Sequence, residues 1–541
     1  MAATIRPISS NRAPRLLPSL IDEIAFSDPS RIAFSYPLTL NPEDGFRDIT
    51  FKELADIINR FSWWIEEKLG RSNSFETLTY VGPTDQTYIV LIFAAIKTGY
   101  KLFLNSPSNN VESHLSLLNE LQCNVLLTSV NESPHVRDIV SKKNMTALTV
   151  SSIDDIMREA EVPLYPYTKS FDQARYEPFV ALHTSGSTGL PKPIVLNHGT
   201  LAHSDLFVEI PKLGGKPISI TRFIGERFFF GLPMFHSAAI CILAFSIYSG
   251  ATPVFSASFL PSAETVNKAH IHARVQGSLL IPSTIIELSR NPEYLDNMKR
   301  LKYLTFGGAP LPGEIGDVLK DYVDLFVTFG TTEIGIYALE RIDSVDWEYA
   351  SFSPVMGCEL RPFSSGLFEL VFVRQEKLQD FQGIFATFPT IEAYESKDLY
   401  SKHPTKEGLW LYEGRSDDKV IITNGFVLNP GRMEGILNAH PLIKSALICG
   451  TGRPHYTVLI EAKAPPKTAE ERSALVMEIW PAIERANSSE SPYARIDKDS
   501  VLFTGPEKPM ARAGKGSVQR KKTVQLYSSE LDEIYKGSAR R

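Results

Sequence analysis

A chain of 541 residues is too long for one hydrophobic core and is expected to divide into at least two domains. Hydrophobic residues make up 43% and charged residues 22%, and the net charge is −6, so no basic excess points to nucleic acid or an anionic membrane as partner. Met1 to Pro14 lacks the apolar stretch of a signal peptide, and no uninterrupted apolar run approaches the roughly 18–20 residues of a membrane span. The cysteines, Cys123, Cys241, Cys358 and Cys449, are scattered without metal-ligand spacing, which suits mostly buried thiols in a reducing compartment. A cytoplasmic, monomeric protein is expected.

Apolar residues at helical spacing from Phe51 to Ile65 predict a helix with Thr50 as its N-cap. Thr77 to Val81 and Leu102 to Leu104 read as strands around an apolar helix from Asp85 to Gly99, where Lys97 stops the apolar run Tyr88 to Ile96. That βαβ pattern implies a mainly parallel sheet covered by helices. Asn124 to Ser129 adds a strand, and the alternation resumes over residues 176–390. Between 395 and 415 the composition turns polar and turn-rich, and Val420 to Thr423 opens a new apolar strand. The boundary is placed at Gly414–Asp417, dividing a large α/β domain of layered sheets and helices, 1–414, from a small α+β domain, 415–541. The last part of the small domain, Lys508 to Lys522, is basic and glycine-bearing.

The segment Thr184-Ser185-Gly186-Ser187-Thr188-Gly189, followed by Leu190-Pro191-Lys192, can turn N–H groups and hydroxyls around a phosphate, with the lysine adding a mobile charge. It is not a Walker A loop, because Pro191 stands five residues after Gly186 where that motif requires glycine. Both flanking apolar runs read as strands, which also argues against a strand–loop–helix phosphate turn. A flexible Gly/Ser linker is the alternative.

This loop resembles the phosphate loop of the adenylate-forming superfamily: acyl-CoA synthetases, luciferases and nonribosomal peptide synthetase adenylation domains. Further segments resemble that family in its order. Phe306-Gly307-Gly308-Ala309-Pro310 is similar to its adenine-contacting turn, and Thr328-Phe329-Gly330-Thr331-Thr332-Glu333 to its Y-G-x-T-E segment, with Phe for Tyr. Gly414-Arg415-Ser416-Asp417-Asp418 matches the G-R-x-D-D hinge, Gly425 to Glu434 the run after it, and Gly514-Lys515-Gly516-Ser517-Val518-Gln519-Arg520 the catalytic-lysine loop. Where the family usually has T-G-D, this chain has Ser396-Lys397-Asp398, a form that resembles the adenylation domains of fungal carboxylic acid reductases.

The resemblance implies activation of a carboxylic acid by ATP and Mg²⁺, a reaction that gathers anions and therefore needs cations and preorganised donors. Thr184 to Gly189 with Lys192 would cradle the phosphates. Gly308, Ala309, Phe329, Gly330 and Thr331 would line the nucleotide, with Gly307, Gly330 and Phe235 bordering the acid. Thr332 would contact the α-phosphate and Glu333 would hold Mg²⁺. Asp398 would pair the ribose hydroxyls. Arg415 would reach ribose or phosphate, or else form a salt bridge with Asp417 or Asp418. Lys515 would stabilise the transition state of adenylation, and Asp417 would be the hinge between two poses of the small domain. Glu434 would be structural, or serve the second half-reaction, or simply be a carboxylate at a helix N-terminus.

His236 carries the specificity clue. Amino-acid-activating relatives have an aspartate at or just after this position, and Ser237 to Phe245 contains no acid, so the resemblance implies a carboxylic acid without an α-amino group, aromatic by preference. A satisfied core histidine is the alternative. The expected acceptor is a carrier domain's phosphopantetheine, with a downstream reductase domain using NADPH outside these residues. A free-standing acyl-CoA synthetase, an aryl-pyruvate-condensing synthetase and a non-catalytic nucleotide-binding module remain alternatives.

Overall fold

The computed structural model describes residues 13–106, 109–129, 134–157, 162–184, 191–258, 260–364, 366–423, 427–428, 430–488, 495–513 and 516–538. Among these, two mostly parallel sheets form the body of the large domain. One runs, in spatial order, 324–327, 303–306, 277–280, 227–230, 252–255, 32–37 and 46–50, parallel except for its terminal hairpin. The other runs 146–150, 125–129, 77–81, 101–104, 178–184 and 192–197, parallel except for the last pair. Parallel strands need crossovers, and the apolar helices between them bury both faces of each sheet.

The βαβ reading holds: Thr77–Val81 and Lys101–Leu104 pair in parallel around the helix Thr87–Lys97. The helix Phe51–Leu69 begins as its sequence requires. The Thr50 side chain accepts from the Glu53 N–H, while Glu53 reaches back to the Thr50 N–H, a reciprocal capping box. The third sheet was not anticipated. Residues 349–350, 410–415, 393–402, 367–373 and 358–364 form an antiparallel sheet, where the sequence reads as helix–strand alternation to 390 and as polar, turn-rich chain over 395–415. Its strands lie close in sequence, so hairpin pairing competed successfully with crossover packing.

The small domain folds around the sheet 443–449, 457–462 and 501–503. Side chains alternate across it. Ala446, Ile448, Val458 and Ile460 join Met433, Leu437 and Ile483 on one face, while Leu447, Cys449 and Leu459 join Tyr527 and Leu531 on the other. The expected strand from Val420 to Thr423 is shorter, Val420–Ile421, paired with Val427–Leu428. All four cysteines are free, and burial pushes each thiol up to about 12.

Lys97 does not end its helix at the surface. Its ammonium is buried and donates to both Asp22 carboxylate oxygens at 2.8 and 2.7 Å and to Asn59 Oδ1 at 3.0 Å. Replacing Lys97 by Met strands the Asp22 carboxylate and should cost about 3 kcal/mol by chemical denaturation, whereas Asp22→Asn combined with Lys97→Met should recover most of it.

Candidate active site

The connections at the carboxyl ends of the parallel strands 227–230, 303–306 and 324–327 converge on one region, the usual place for a ligand crevice in such sheets. After 303–306, Gly307 packs so closely on the next connection that a Cβ would lie 2.6 Å from the Thr328 carbonyl oxygen. Gly308 adopts φ +86°, which a side chain would strain, and Gly308 and Ala309 are exposed. Thr305 Oγ1 and Thr328 Oγ1, 2.6 Å apart, tie the two connections together.

After 324–327, Gly330 and Thr331 pair back on Gly335 and Ile336, and a Cβ on Gly330 would come within 2.6 Å of the Gly335 carbonyl oxygen. This tight ribbon aims its residues in different directions. The Phe329 ring packs 5.5 Å from Tyr412 and 5.9 Å from Tyr400. Thr332 Oγ1 donates to Ser237 Oγ at 3.2 Å. Glu333 gives its carbonyl oxygen to the Thr387 hydroxyl at 2.7 Å, and its half-buried carboxylate makes no hydrogen bond or ion pair with another described residue.

Ser237 opens the apolar helix Ser237–Ser249, and His236 is its N-cap. The Ala238 N–H donates to His236 Nδ1 at 3.1 Å, which assigns the imidazole proton to Nε2 and makes Nε2–H a donor. His236 is therefore neither buried nor structurally idle: it is half-buried at the positive end of a helix beside Ser237 and Thr332. Phe235 is buried behind it, its ring 6.4 Å from Tyr88. Ser237 was missed as a site residue. Its place directly after His236, at the start of an apolar helix, was the available signal.

Asp398 lies opposite Arg415 in the antiparallel sheet and is 8% exposed. Burial, reinforced by Asp417, Glu333 and Glu369 and opposed by Arg415, pushes its carboxyl up to about 7. Arg415 itself is bidentate on Asp417, Nε to Oδ1 at 2.9 Å and Nη2 to Oδ2 at 3.2 Å, the salt-bridge alternative for this residue. Among the described residues no group of three or more His, Cys, Asp or Glu could hold a metal. A magnesium ion beside Glu333 would thus draw most of its ligands from phosphate oxygens and water, as that ion commonly does.

Thr184 and Lys192 are paired at the mouth of the hairpin 178–184/192–197, with Lys192 exposed. Ser185, Gly186, Ser187, Thr188 and Gly189 lie outside the described residues, as do Gly514 and Lys515. The flanks of the lysine segment are tied: Gly516 N–H donates to the Ala513 carbonyl at 2.8 Å, and Arg512 bonds the Gly516 carbonyl at 3.0 Å, Ser445 at 2.8 Å and the buried Glu461 carboxylate at 2.7 Å. Gly516 also lies against Leu260 of the large domain. Glu434 stands apart from all these groups. It accepts from Arg520 Nη2 at 2.7 and 2.8 Å and from the Ile448 N–H at 2.7 Å, clamping the last helices to the small-domain sheet. Arg520 reaches Asp418 at 3.5 Å.

The sequence model of the AMP-binding enzyme family matches residues 21–361, and that of the AMP-binding enzyme C-terminal domain matches 417–539. The chain belongs to this family of adenylate-forming enzymes. It is 34% identical over 532 residues to a carboxylic acid reductase of Neurospora crassa, covering 96% of this chain and 50% of the reductase. It is 32% identical over 530 residues to an isocyanide synthase–NRPS hybrid of Aspergillus fumigatus, covering 96% of this chain and 33% of the hybrid. The chain thus spans half or less of the length of these relatives. The o-succinylbenzoate CoA synthetase of Bacillus subtilis, solved with its acyl-adenylate, shares the fold with a TM-score of 0.68 at 18% identity over 94% of this chain and 98% of that one.

Asp398 gives the site a pH signature. Its folded value of about 7 lies above the ordinary carboxylate value, so the folded state holds a proton that the unfolded chain has lost, and stability falls as pH rises from about 4 through 7. Asp398→Asn should remove that decline and raise Tm by about 2–4 °C at pH 8 but not at pH 4, read by thermal melts across pH.

Proposed function

We propose that this chain is the adenylation unit of a larger enzyme, joining a carboxylic acid to ATP and passing the acyl group to a carrier domain's phosphopantetheine thiol. In the first step a carboxylate oxygen attacks the α-phosphorus and pyrophosphate leaves. In the second the thiolate sulfur attacks the acyl carbonyl and AMP leaves. The observation that carries this reading is the placement of two consecutive residues. Thr332 meets Ser237 beside the His236 cap, while Glu333 lies in the corner that contains Asp398 and Arg415. One tight segment thereby joins an acid-binding end to a nucleotide-binding end.

His236 Nε2–H and the positive end of helix Ser237–Ser249 would receive the acid's carboxylate. Asp398 would accept from the ribose hydroxyls, with Arg415 free to exchange Asp417 for the nucleotide. Gly308, Ala309 and Phe329 would border the base, and Thr184 with Lys192 the terminal phosphates. Glu333 would hold Mg²⁺, which neutralises phosphate charge when bound. Lys515 would enter to stabilise the charge that grows on the α-phosphate. Gly414 to Asp417, with Asp417 as the pivot, would serve as the hinge between poses for the two steps. The similarity to a carboxylic acid reductase over 96% of the chain supports a reductase domain, using NADPH, as the destination of the thioester.

The substrate would be an acid without an α-amino group, aromatic by preference, because the helix beside His236 supplies no carboxylate for a buried ammonium. Trapping acyl-adenylates with hydroxylamine across aromatic, aliphatic, keto and amino acids tests this, and benzoate-like acids should exceed phenylalanine and tyrosine. Robust activity with an amino acid would return the chain to peptide synthesis. His236→Ala should lower kcat/KM for the acid by about 10- to 150-fold, with KM for ATP nearly unchanged, as expected for a lost hydrogen bond to a charged carboxylate.

Lys515→Ala should reduce pyrophosphate exchange by about 10²-fold or more. Thioester formation from pre-made acyl-adenylate should survive, and supplying either coenzyme A or a carrier domain in that assay identifies the acceptor. Equal loss of both steps would speak against a lysine that acts only in the first.

A further inference from the structure

The pairing of strands 367–373 and 393–402 is interrupted. Glu369 faces Leu399 and Val371 faces Glu395, so Ser396, Lys397 and Asp398 together oppose Leu370. Ser396 builds this bulge with its hydroxyl, which donates to the Leu370 carbonyl at 2.8 Å and accepts from the Asp398 N–H at 3.1 Å. The strain falls on Lys397, whose φ is +66°. That region suits glycine and is uncommon for a long side chain. Such strain persists where the surroundings impose it, and it concentrates at functional positions.

Lys397 is exposed and makes no hydrogen bond or ion pair with another described residue. Its strand neighbour Asp398 is registered with Arg415, and the strand packs directly on the turn Ser416–Asp418. In that antiparallel register Lys397 lies beside Ser416, at the start of the interdomain connection where Asp417 holds Arg415. Against the burial that would raise it, the Arg415 hydrogen bonds and charge, with the Lys397 charge, keep the Asp417 carboxyl below its ordinary range. In this same pose Gly516, next to Lys515 in sequence, lies against Leu260 of the large domain.

We propose that Lys397 is a positioning residue for the hinge: accommodated in a glycine conformation, it holds Asp417 by charge and biases the small domain toward the pose in which the lysine segment meets the large domain. This rests on the adenylation reading for its chemical consequence, but the bias itself is a property of the apo chain. A turn of the hinge that carried Asp417 away from Lys397 would lose this attraction, so it would favour the first half-reaction over the second. An exposed pair of this kind shifts populations about two- to fivefold and is screened by salt.

The test compares Lys397→Gly, Lys397→Ala and Lys397→Arg. The ratio of pyrophosphate exchange to thioester formation from supplied acyl-adenylate should fall about two- to fivefold in the Gly and Ala variants at low salt. The difference should fade near ~0.5 M salt, where screening is strong, and Arg should restore it. Lys397→Gly should melt higher than Lys397→Ala, because only glycine relieves the φ strain. A second readout needs no turnover: the distance between spin labels on Tyr322→Cys in the large domain and Leu526→Cys in the small domain, both exposed positions. The Gly and Ala variants should shift weight away from the wild-type distance, and Arg should not. Equal losses in both half-reactions, or distance distributions identical to wild type at low salt, would overturn the proposal. If no acid is activated by the wild type, the adenylation reading fails while the distance measurement still decides the hinge bias.

Discussion

The corner around Asp398 gathers four carboxylates, Glu333, Glu369, Asp398 and Asp417, about the Arg415 guanidinium, with Lys397 and Lys419 acting on its outer carboxylates. Much of the large domain serves to hold that imbalance. The antiparallel sheet fixes Asp398 opposite Arg415, the ribbon Gly330–Ile336 brings Glu333 in from the parallel sheet, and the bulge at Ser396 turns the Asp398 carboxyl inward. Excess negative charge in a half-dry site is costly by itself. Hydroxyl donors and a cation would relieve it, and the proposed nucleotide and its metal would bring both.

Close backbone approach keeps the two ends of the site together. A Cβ on Gly307 would meet the Thr328 carbonyl, and one on Gly330 the Gly335 carbonyl, so the connection after 303–306 packs on that after 324–327, which itself folds back tightly. The ribbon can then place Thr332 at the head of helix Ser237–Ser249 and Glu333 in the acid corner without a change of element. The helix is apolar along most of its length and meets the site with the N–H groups of its first turn and the neutral His236 imidazole.

The small domain is held by a different logic. Its sheet is buried on both faces, and the last helices are pinned to it by Glu434 and Arg520 through a half-buried hydrogen-bonded pair. Arg520 also reaches Asp418, so the connection between domains and the base of the lysine segment share one guanidinium. Arg512, bonded to Glu461 and to the Gly516 carbonyl, ties the other side of that segment to the same sheet. These ties are internal to the small domain, while Arg290 Nη2 donates across from the large domain to the Ala439 carbonyl at 2.6 Å.

The order of motifs, the parallel βαβ core, the Thr50 cap and the family itself were legible in the sequence, because each rests on local patterns: periodicity, glycine placement and hydroxyl-rich runs. So was the absence of an acid beside His236. Tertiary structure alone decided what depends on residues far apart in the chain. Lys97, read as the stop of an apolar run, became a buried partner of Asp22, the region 349–415 paired as an antiparallel sheet, and Glu434 took Arg520 as its partner. His236 acquired its tautomer from the Ala238 N–H, and Lys397 its strained φ from the bulge that Ser396 builds against Leu370. Sequence patterns report what a residue's neighbours along the chain allow. Ion pairing, register and charge balance are set by partners tens to hundreds of residues away, and only folding brings those partners within reach.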